Sequence, residues 1–434
     1  MKFEKLNCTI QGFDQIQVPQ MVKVRQKFNA KTIEDPAAHL KEQMQQTLST
    51  DAIAALKGKR IGISAGSRGI PFYKELVRAM VQQLKEWEAE PFVFPAMGSH
   101  AGATAEGQQN YLAQFGITEE YIGAPILSTM EVKTVAVLDD GFPVYCDRNA
   151  AEADGIIVFN KVKPHTHFKD RHESGLLKMI CIGIGKHKGA STFHQYGFDD
   201  FCHNMERVSQ AFLENVNVVF AVGLVQNAFD DIGWLEVIPT DQFFERDAAL
   251  LEIAKKELAQ LHFSDIDVLI IDEVGKEISG TGFDPNVSGR IEVISQQEAF
   301  RKAAPNIKKI VLLDITDYSH GLGIGMGEAD ILSYRFVNKL DFEQTYTNCI
   351  TNNYLKSAAM PLYANSDEDA IKLAILTSMA KDKAKVKIVR VKNTITLDEI
   401  EVSVGMLDDV SNPDMFEVMS EPYNWTFNEE GNLW

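Results

Sequence analysis

Short apolar segments that alternate with amphipathic helical segments constrain the fold of this chain more than any other feature. Five of the apolar segments are predicted strands, at residues 60–65, 91–97, 155–162, 216–225 and 266–274. Helical spacing separates them, as at Leu76, Met80 and Leu84. Strands that are apolar on both faces and alternate with helices are typical of a parallel sheet covered on both sides. We therefore predict an α/β fold with mostly parallel sheets.

The length of the chain favours two domains. A chain of 434 residues exceeds what a single hydrophobic core usually serves. The alternation resumes after about residue 265, with further predicted elements at residues 307–315, 367–380 and 386–391. We predict an N-terminal α/β domain over residues 1–265, which holds the main site residues, and a C-terminal α/β domain over residues 266–434.

Two helix starts can be predicted from capping residues. Asp35 precedes Pro36 at the start of a helical segment over residues 36–48, and Ser366 precedes the segment 367–380. Aspartate and serine are favoured at the N-cap, and proline is favoured at the first helical position.

Charge and composition exclude several classes of partner. The formal net charge is -18, whereas nucleic-acid binding depends on clustered basic residues. No apolar run approaches the ~18 residues of a membrane span. The amino terminus lacks a signal-peptide pattern, and the five cysteines form no CxxC pair, which favours a reducing compartment. We predict a cytoplasmic protein without nucleic-acid or membrane partners; the sequence leaves the oligomeric state open.

A basic island interrupts this acidic chain. Between residues 161 and 188 only Asp170 and Glu173 are acidic, against the basic residues Lys161, Lys163, Lys169, Arg171, Lys178, Lys186 and Lys188. Locally concentrated positive charge can focus an anionic ligand. A solvated basic loop is the alternative interpretation.

Several nitrogen-bearing side chains are predicted to converge. Arg68, His100 and His165 each follow a predicted strand, and open α/β sheets bind ligands beyond the carboxyl ends of their strands. His167 lies two positions after His165, a spacing that points both rings to one side of an extended segment. Lys178 lies in an apolar run, where a lysine must be neutral, paired or covalently used, unless it extends to solvent.

These segments resemble a known enzyme family. The segments GSHAGAT, KPHTHF, SGLLKM and HGLGIG, with His194 sixteen residues after Lys178, resemble the nickel-dependent lactate racemase family over most of the chain. The resemblance implies two α/β domains with the active site in the interdomain cleft. It also implies a nickel-pincer nucleotide. This pyridinium-derived mononucleotide is bound to a lysine through a thioamide and coordinates nickel through carbon and sulfur.

The resemblance also implies roles for individual residues. Lys178 matches the lysine that forms the thioamide, and His194 matches the histidine that ligates nickel. His100 and His165 match the pair that exchanges a proton with the substrate hydroxyl. Arg68 matches an arginine that holds anionic groups of the cofactor and substrate.

Some positions depart from the family pattern. The interval from His165 to Lys178 is longer than in the lactate enzymes, and His167 fits it slightly better, so either histidine can be the second base. The segment GTGFDPNVSGR replaces the one that closes the lactate site, and Lys276 and Arg290 are its candidate substrate contacts. These departures favour a 2-hydroxy acid larger than lactate, such as a sugar acid.

We therefore predict an isomerase, a racemase or epimerase that inverts the 2-carbon of a small anionic 2-hydroxy acid. One alternative is a zinc-type metallohydrolase whose ligands come from His165, His167, Lys178 or Lys186, His194 and His203. Another is a non-catalytic homologue that binds a ligand or cofactor.

Overall fold

The protein has the predicted α/β fold with mostly parallel sheets. The computed structural model describes residues 3–66, 69–195, 197–198, 200–351, 353–409 and 413–433. The chain divides into two compact units. The five-stranded unit runs from Asn29 to Leu258, and the eight-stranded unit comprises the residues up to Phe28 together with those from Ala259 onward.

Strands and helices alternate through most of the chain. The strands are β1 (Met21–Gln26), β2 (Arg60–Ala65), β3 (Glu90–Pro95), β4 (Val132–Val137), β5 (Pro143–Asp147), β6 (Gly155–Lys161), β7 (Val218–Gln226), β8 (Ile232–Ile238), β9 (Asp265–Val274), β10 (Asn306–Ile315), β11 (Ile331–Leu332), β12 (Leu362–Tyr363), β13 (Ile388–Val391), β14 (Glu399–Ser403) and β15 (Phe416–Val418).

The α-helices are α1 (Pro36–Thr47), α2 (Thr50–Ala54), α3 (Tyr73–Glu86), α4 (Ala105–Gln114), α5 (Glu119–Ile122), α6 (Arg148–Ala151), α7 (Leu176–Lys178), α8 (Lys186–Gln195), α9 (Phe201–Asn215), α10 (Phe243–Glu257), α11 (Pro285–Ser288), α12 (Gln297–Ala303), α13 (Tyr334–Lys339), α14 (Phe342–Thr351) and α15 (Asp367–Thr377). A π-helix, Met179–Ile184, lies between α7 and α8. Among the helices that the structure describes, none has the length and apolarity needed to cross a membrane.

Parallel pairing in the five-stranded unit places the ends of several strands on one edge. The strand order is β3-β2-β6-β7-β8. β3, β2, β6 and β7 pair in parallel, and β8 pairs antiparallel with β7. β4 and β5 form a separate antiparallel pair. The loops after the four parallel strands therefore leave the sheet at its carboxyl edge, where open α/β sheets bind ligands.

The central strand β6 shows why the apolar segments lack polar alternation. Ile156 and Val158 pack in one core with residues of α7, α9 and α10, whereas Ile157 and Phe159 pack in a second core with residues of α1 and α3. All four side chains are at most 1% exposed. Because successive side chains of a strand point to opposite faces, a sheet buried on both sides requires apolar residues at consecutive positions.

The eight-stranded unit mixes parallel and antiparallel pairing. Its order is β12-β11-β10-β9-β13-β14-β1-β15. The strands from β12 to β13 pair in parallel, and the remaining pairs are antiparallel. Val268 of β9 and Val311 of β10 pack against Ile371 and Ile375 of α15 in its core.

The amino-terminal residues belong to a different unit from the one predicted. The sequence placed residues 1–265 in one domain, but β1 pairs antiparallel with β14, with Met21 opposite Ser403. Met21, Val22 and Val24 are at most 1% exposed. A strand with these buried side chains needs a partner, and a partner from the far end of the chain leaves no local sequence signal.

The predicted strands and helix starts are confirmed. The apolar segments correspond to β2, β3, β6, β7, β9, β10 and β13. The Ala38 amide donates to the Asp35 carboxylate at 2.9 Å, and the Asp369 amide donates to the Ser366 hydroxyl at 3.1 Å. Each cap satisfies an amide that would have no partner within its own helix.

Candidate active site

Two of the predicted catalytic histidines follow parallel strands of the five-stranded sheet. β3 ends shortly before His100, and β6 ends shortly before His165. Both strands pair with β2, one on each side, so both loops leave the carboxyl edge. Arg68 follows β2 but lies outside the described residues. The structure thus places His100 and His165 at the edge that the strand predictions indicated.

One buried carboxylate shapes the loop that carries His165. Backbone hydrogen bonds between Lys163 and Ser174 close the loop at its base. The Glu173 carboxylate accepts the amide of His165 at 2.7 Å and the amide of Asp170 at 3.4 Å. It is also 3.1 Å from the ammonium of Lys255. The backbone of His165 is therefore held in place by a carboxylate that is 1% exposed.

Three predicted site histidines surround an aromatic cluster, which comprises Phe168, Phe198 and Phe201. The ring centroid of His165 lies 4.5 Å from that of Phe168, and His167 stacks on Phe198 at 5.5 Å. The ring of His194, near the end of α8, lies 6.2 Å from both Phe198 and Phe201. The structure thus brings together imidazoles from two separate segments.

The hydrogen bond at His165 determines which of its nitrogens carries the proton. The backbone amide of His167 donates to His165 Nδ1 at 3.0 Å. An imidazole nitrogen that accepts a hydrogen bond cannot carry the proton, so the neutral ring is protonated at Nε2. His167 Nδ1 lies 3.1 Å from the Thr166 hydroxyl, which can donate or accept, so that contact permits either tautomer.

Burial and the nearby amine of Lys178 keep these imidazoles neutral at neutral pH. Burial lowers the pKa of His165 well below 6.5, and the charge of Lys178 lowers it further. The same causes lower the pKa of His167 to about 3. They also lower the pKa of His194; its side chain is exposed as a whole, but its ring lies against the aromatic cluster. Neutral imidazoles can accept a proton or ligate a metal.

Lys178 lies at a junction between two kinds of helix. It ends α7, and the π-helix begins at the next residue. The Asp247 carboxylate accepts the Leu176 amide at 2.6 Å, and the Asn160 side chain donates to the Gly175 carbonyl at 2.6 Å. π-Helical turns are rare and frequently mark functional sites. These bonds fix the backbone on which Lys178 is carried.

The amine of Lys178 is half-buried, and no described carboxylate serves as its counterion. Among the residues that the structure describes, no hydrogen bond or ion pair reaches its Nζ. Burial lowers the pKa of Lys178 to about 7, and the charge of Lys163 contributes in the same direction. At neutral pH a large fraction of this amine is therefore unprotonated, and an unprotonated lysine is nucleophilic.

His100 lies on a strained loop. Its side chain is exposed, and it immediately precedes the short 3-10 helix Ala101–Ala103. Ala101 and Ala103 adopt φ values of 55° and 52°, in the left-handed region that non-glycine residues avoid. Backbone strain of this kind concentrates at functional sites, where the surrounding structure maintains it.

The same loop packs directly on the π-helix. The Gly98 amide donates to the Gly183 carbonyl at 3.2 Å. Gly98 has a φ of 58°, and a β-carbon there would lie 3.0 Å from the Ile182 carbonyl oxygen. Only glycine fits this position without strain. The segment before His100 is thus in contact with the segment after Lys178.

The two predicted substrate contacts of the eight-stranded unit occupy different places. Lys276 is exposed directly after β9, and its amide donates to the Ser319 hydroxyl at 3.0 Å. Arg290 donates to the carbonyls of residues 307 and 308 at the amino end of β10, and pairs with Asp330 at 3.2 Å. Lys276 therefore lies at the carboxyl edge of its sheet and Arg290 near the opposite edge. Their roles in substrate binding stay predictions.

Two buried carboxylates that hold the site were not identified from the sequence. Glu173 appeared only as one of two acids in the basic island, and Asp247 lies on α10, 71 residues from the Leu176 amide that it accepts. The side chains of both are at most 1% exposed. A polar residue in an amphipathic helix gives no signal that it faces the core, so only the tertiary structure identifies Asp247.

The described side chains do not form a metal centre by themselves. Within the described ranges, no group of three or more His, Cys, Asp or Glu side chains is arranged to hold a metal ion. Catalytic zinc usually has three protein ligands. A metal held here by His194 would therefore need donors other than these side chains.

Comparison with known proteins identifies a family model and a solved structure to which this chain is similar. Residues 63–273 match the family model for DUF362, a domain of unknown function. The structure is similar to that of the lactate racemase apoprotein from Thermoanaerobacterium thermosaccharolyticum, with a TM-score of 0.53 and 15% sequence identity, over 91% of this chain and 97% of that chain. Among curated proteins, none matches the chain. The predicted lactate racemase-like fold is confirmed.

Proposed function

We propose that this protein is a racemase or epimerase that inverts the 2-carbon of a 2-hydroxy acid, with a nickel-pincer nucleotide attached to Lys178. The observation that carries the proposal is the Lys178 amine, which is half-buried, has no counterion among the described residues and interacts with three imidazoles. The fold likeness to a lactate racemase supports the choice of reaction class.

The residues at the site fit this cofactor. A pKa of about 7 leaves the Lys178 amine partly unprotonated, as bond formation at nitrogen requires. His194 offers an exposed imidazole with a lowered pKa, and neutral imidazole is a common metal ligand. One protein ligand is sufficient for this group, because the cofactor family supplies further donors through carbon and sulfur.

When bound, the cofactor would accept the hydride from the substrate's 2-carbon and return it. The chain's own residues would orient the substrate and move the hydroxyl proton. A neutral imidazole can take up the hydroxyl proton, and the negative charge of a bound substrate would favour its protonated form. Inversion requires a proton-transfer group on each side of the carbon, and His100 and the His165–His167 pair come from loops after different strands.

The hydrogen bonds distinguish the two histidines of the pair. His165 is held with its proton on Nε2, so it can donate a hydrogen bond to a substrate oxygen, but Nε2 cannot accept a proton until the tautomer changes. His167 is not restricted in this way by its contact with Thr166. We therefore assign proton exchange to His100 and His167, and orientation of the substrate oxygen to His165.

Substitution of each histidine with glutamine tests this assignment. Glutamine reproduces the Nε2–H donor of histidine, but its amide does not exchange a proton with the substrate. His165→Gln should keep most of the turnover, whereas His167→Gln should lose about 100-fold or more, the usual contribution of a proton-transfer group. The reverse pattern would assign the second base to His165.

Positive charge at the carboxyl edge favours an anionic substrate. Lys161 ends β6, and its ammonium donates to the Gly69 carbonyl at 3.2 Å. Burial, with a contribution from the charge of Lys163, lowers the pKa of Lys161 to about 7. A nearby carboxylate or phosphate would favour the protonated form of Lys161. Arg68 and Lys276 remain proposed further contacts of the substrate's acid groups.

Intact mass and nickel content test the proposal directly. The protein should be made alongside the enzymes that build the cofactor, with a lactate racemase as the loading control. The native chain and Lys188→Ala, which changes an exposed lysine of the same helix region, should carry nickel and a nucleotide-sized mass increase. Lys178→Ala should carry neither. An unmodified native chain beside a loaded control would remove the proposal.

A solvent-isotope experiment tests the reaction itself. Hydride removal and return predict racemisation of 2-hydroxy acids in D2O with little deuterium at the 2-carbon. Full incorporation would show direct deprotonation of carbon. Stoichiometric zinc with ester or amide hydrolysis would support a metallohydrolase, and a loaded protein without turnover on any 2-hydroxy acid would support a cofactor-binding role.

A further inference from the structure

A second buried lysine, Lys186, lies at the start of the helix that carries His194. Its side chain is fully buried. Its Nζ lies 3.0 Å from Asp147 Oδ2 and 3.3 Å from Gln108 Oε1, and it donates to the Pro95 carbonyl. The ammonium therefore donates two hydrogen bonds, and the Asp147 carboxylate is its counterion. Lys186 is thus a buried cation that three protein oxygens surround.

This network is not explained by stability alone. Burial lowers the pKa of Lys186 and raises the pKa of Asp147, so desolvation opposes both charges. A buried ion pair is often no more stabilising than apolar residues of the same volume. Lys186 also has a φ of 57°, a conformation that strains any side chain other than glycine. A strained, desolvated pair indicates that the position of these groups matters.

Gln108 connects this cation to the loop that carries His100. Its side chain is fully buried on α4. Its Oε1 accepts from Lys186, and this orients Nε2 toward the carbonyl of Gly98 at 2.9 Å and the carbonyl of His100 at 3.4 Å. The cation thereby fixes which way the amide points. The amide in turn holds two carbonyls of the loop that carries His100.

The network links elements that hold different parts of the proposed site. Lys186 begins α8, on which His194 lies. The Gly98 amide is bonded to the π-helix that follows Lys178. The backbone at His100 is therefore held from two sides, by Gln108 and by the π-helix, and both connect to the segment between Lys178 and His194.

We propose that Lys186 and Gln108 are positioning residues that fix the His100 loop relative to the helix carrying His194. Neither needs to touch the substrate; they act through the carbonyls of Gly98 and His100. The catalytic part of this inference rests on the proposed function, whereas its effect on the loop can be measured in the protein without cofactor.

Gln108→Glu is the sharpest test. A glutamate at this position still accepts from Lys186, but its ionised carboxylate cannot donate to the two loop carbonyls. Gln83→Met is the matched control, because Gln83 is also 1% exposed and bonded through its amide to Gln45 and Glu86, on α1 and α3. Gln108→Met serves as a second variant if the added charge prevents folding.

Two readouts are needed. In the loaded enzyme, Gln108→Glu should keep the cofactor and lower kcat about tenfold to 100-fold, since a displacement of about 1 Å can have that effect. KM should change little. In the protein without cofactor, amide hydrogen exchange at His100 and Ala103 should accelerate. The Ala103 amide donates to the His100 carbonyl and the His100 amide donates to the Met97 carbonyl, and both bonds depend on the loop conformation. Gln83→Met should change neither readout.

The outcomes separate this inference from the proposed function. Unchanged exchange at His100 and Ala103 in the Gln108 variants would overturn the inference whether or not the protein is an enzyme. Faster exchange with unchanged kcat in a loaded enzyme would also overturn it. If the native protein neither binds the cofactor nor converts a 2-hydroxy acid, the proposed function fails. Faster exchange in the Gln108 variants would then still support the inference that Gln108 fixes the His100 loop.

Discussion

Lys178 and Lys186 lie in the same short stretch of chain, and burial lowers the pKa of both. Their surroundings differ. Lys186 is fully enclosed, with one carboxylate and two neutral oxygens as partners. Lys178 is half-buried, and no hydrogen bond or ion pair from the described residues reaches its amine. Within the part of the chain that the structure describes, Lys186 thus has oxygen partners and Lys178 has none.

The difference shows that burial alone does not identify a reactive lysine. An ammonium that is held by three oxygen partners must lose its proton and leave these contacts before it can act as a nucleophile. An amine without partners loses its proton readily and remains available for a bond to another group. Chemistry is therefore expected at Lys178, and a role in positioning at Lys186.

The largest expected difference between the two lysines is in their contribution to the free energy of unfolding. Lys186→Met leaves the Asp147 carboxylate buried without its cation, and it should lower the free energy of unfolding by about 3–5 kcal/mol. Lys178→Met removes an amine that none of the described side chains pairs with, so it should leave that free energy unchanged or raise it. Denaturant unfolding of both variants measures the contrast.

A double variant controls for the change of shape. Lys186→Met with Asp147→Asn keeps an oxygen to cap α6, where Asp147 accepts two amides, and removes the unpaired charge. About half of the lost stability should return. Equal losses for Lys186→Met and Lys178→Met would contradict the comparison.

The pH dependence of stability should also distinguish Lys178. Its pKa is about 7 in the folded protein and 10.5 without the environment of the fold. Between these values the unfolded chain binds more protons, so this group makes stability increase as the pH rises from about 7 to 10.5. Lys178→Met should lack that contribution, which the difference between its unfolding curves and those of the native protein isolates. If the stabilities of the native protein and of Lys178→Met depend on pH in the same way, the pKa of Lys178 is not lowered in the folded protein.

The pKa values of three imidazoles provide a third test of the difference between Lys178 and Lys186. The charge of Lys178 lowers the pKa of His165, His167 and His194. Lys178→Met should therefore raise the pKa of all three, as followed by NMR titration of the ring protons. Lys186→Met should change them much less, because Lys186 is not among the main causes of these shifts. A rise in both variants would point to a general loosening of the site.

The smallest effect is expected in the loop that the Lys186 network holds. Ala103→Gly relieves a positive φ at a benefit of about 1 kcal/mol, but the more flexible unfolded chain offsets about 0.4–1 kcal/mol. The free energy of unfolding should therefore change by less than about 1 kcal/mol. A large loss would show that the methyl group of Ala103 has a packing role.

The sequence predicted the fold more completely than it predicted the buried polar residues that hold the site in place. Consecutive apolar residues predicted β6 and its neighbours, and parallel pairing then placed His100 and His165 on one edge. Strand β1 was missed because its partner lies near the other end of the chain. Glu173, Gln108 and Asp247 were missed for a related reason.

Buried polar groups are recognised only by what they contact. Asp247 and Gln108 lie on helices whose sequences do not show which polar residue faces inward. The predicted basic island contained both Lys178 and Lys186, but the sequence could not show that Lys186 has partners among the described residues and Lys178 has none there. That distinction depends on Asp147 and Gln108, which lie far from Lys186 along the chain.

The most direct test of this account is the pH dependence of acetylation at single lysines. The native protein is labelled briefly with acetic anhydride across a pH series, and each lysine is quantified by peptide mass spectrometry. Lys178 should react with a midpoint near pH 7, while Lys186 should stay unlabelled in the folded protein because it is fully enclosed. A midpoint near 10.5 for Lys178, the value of an ordinary lysine, would contradict the claim that it is the reactive amine of the site.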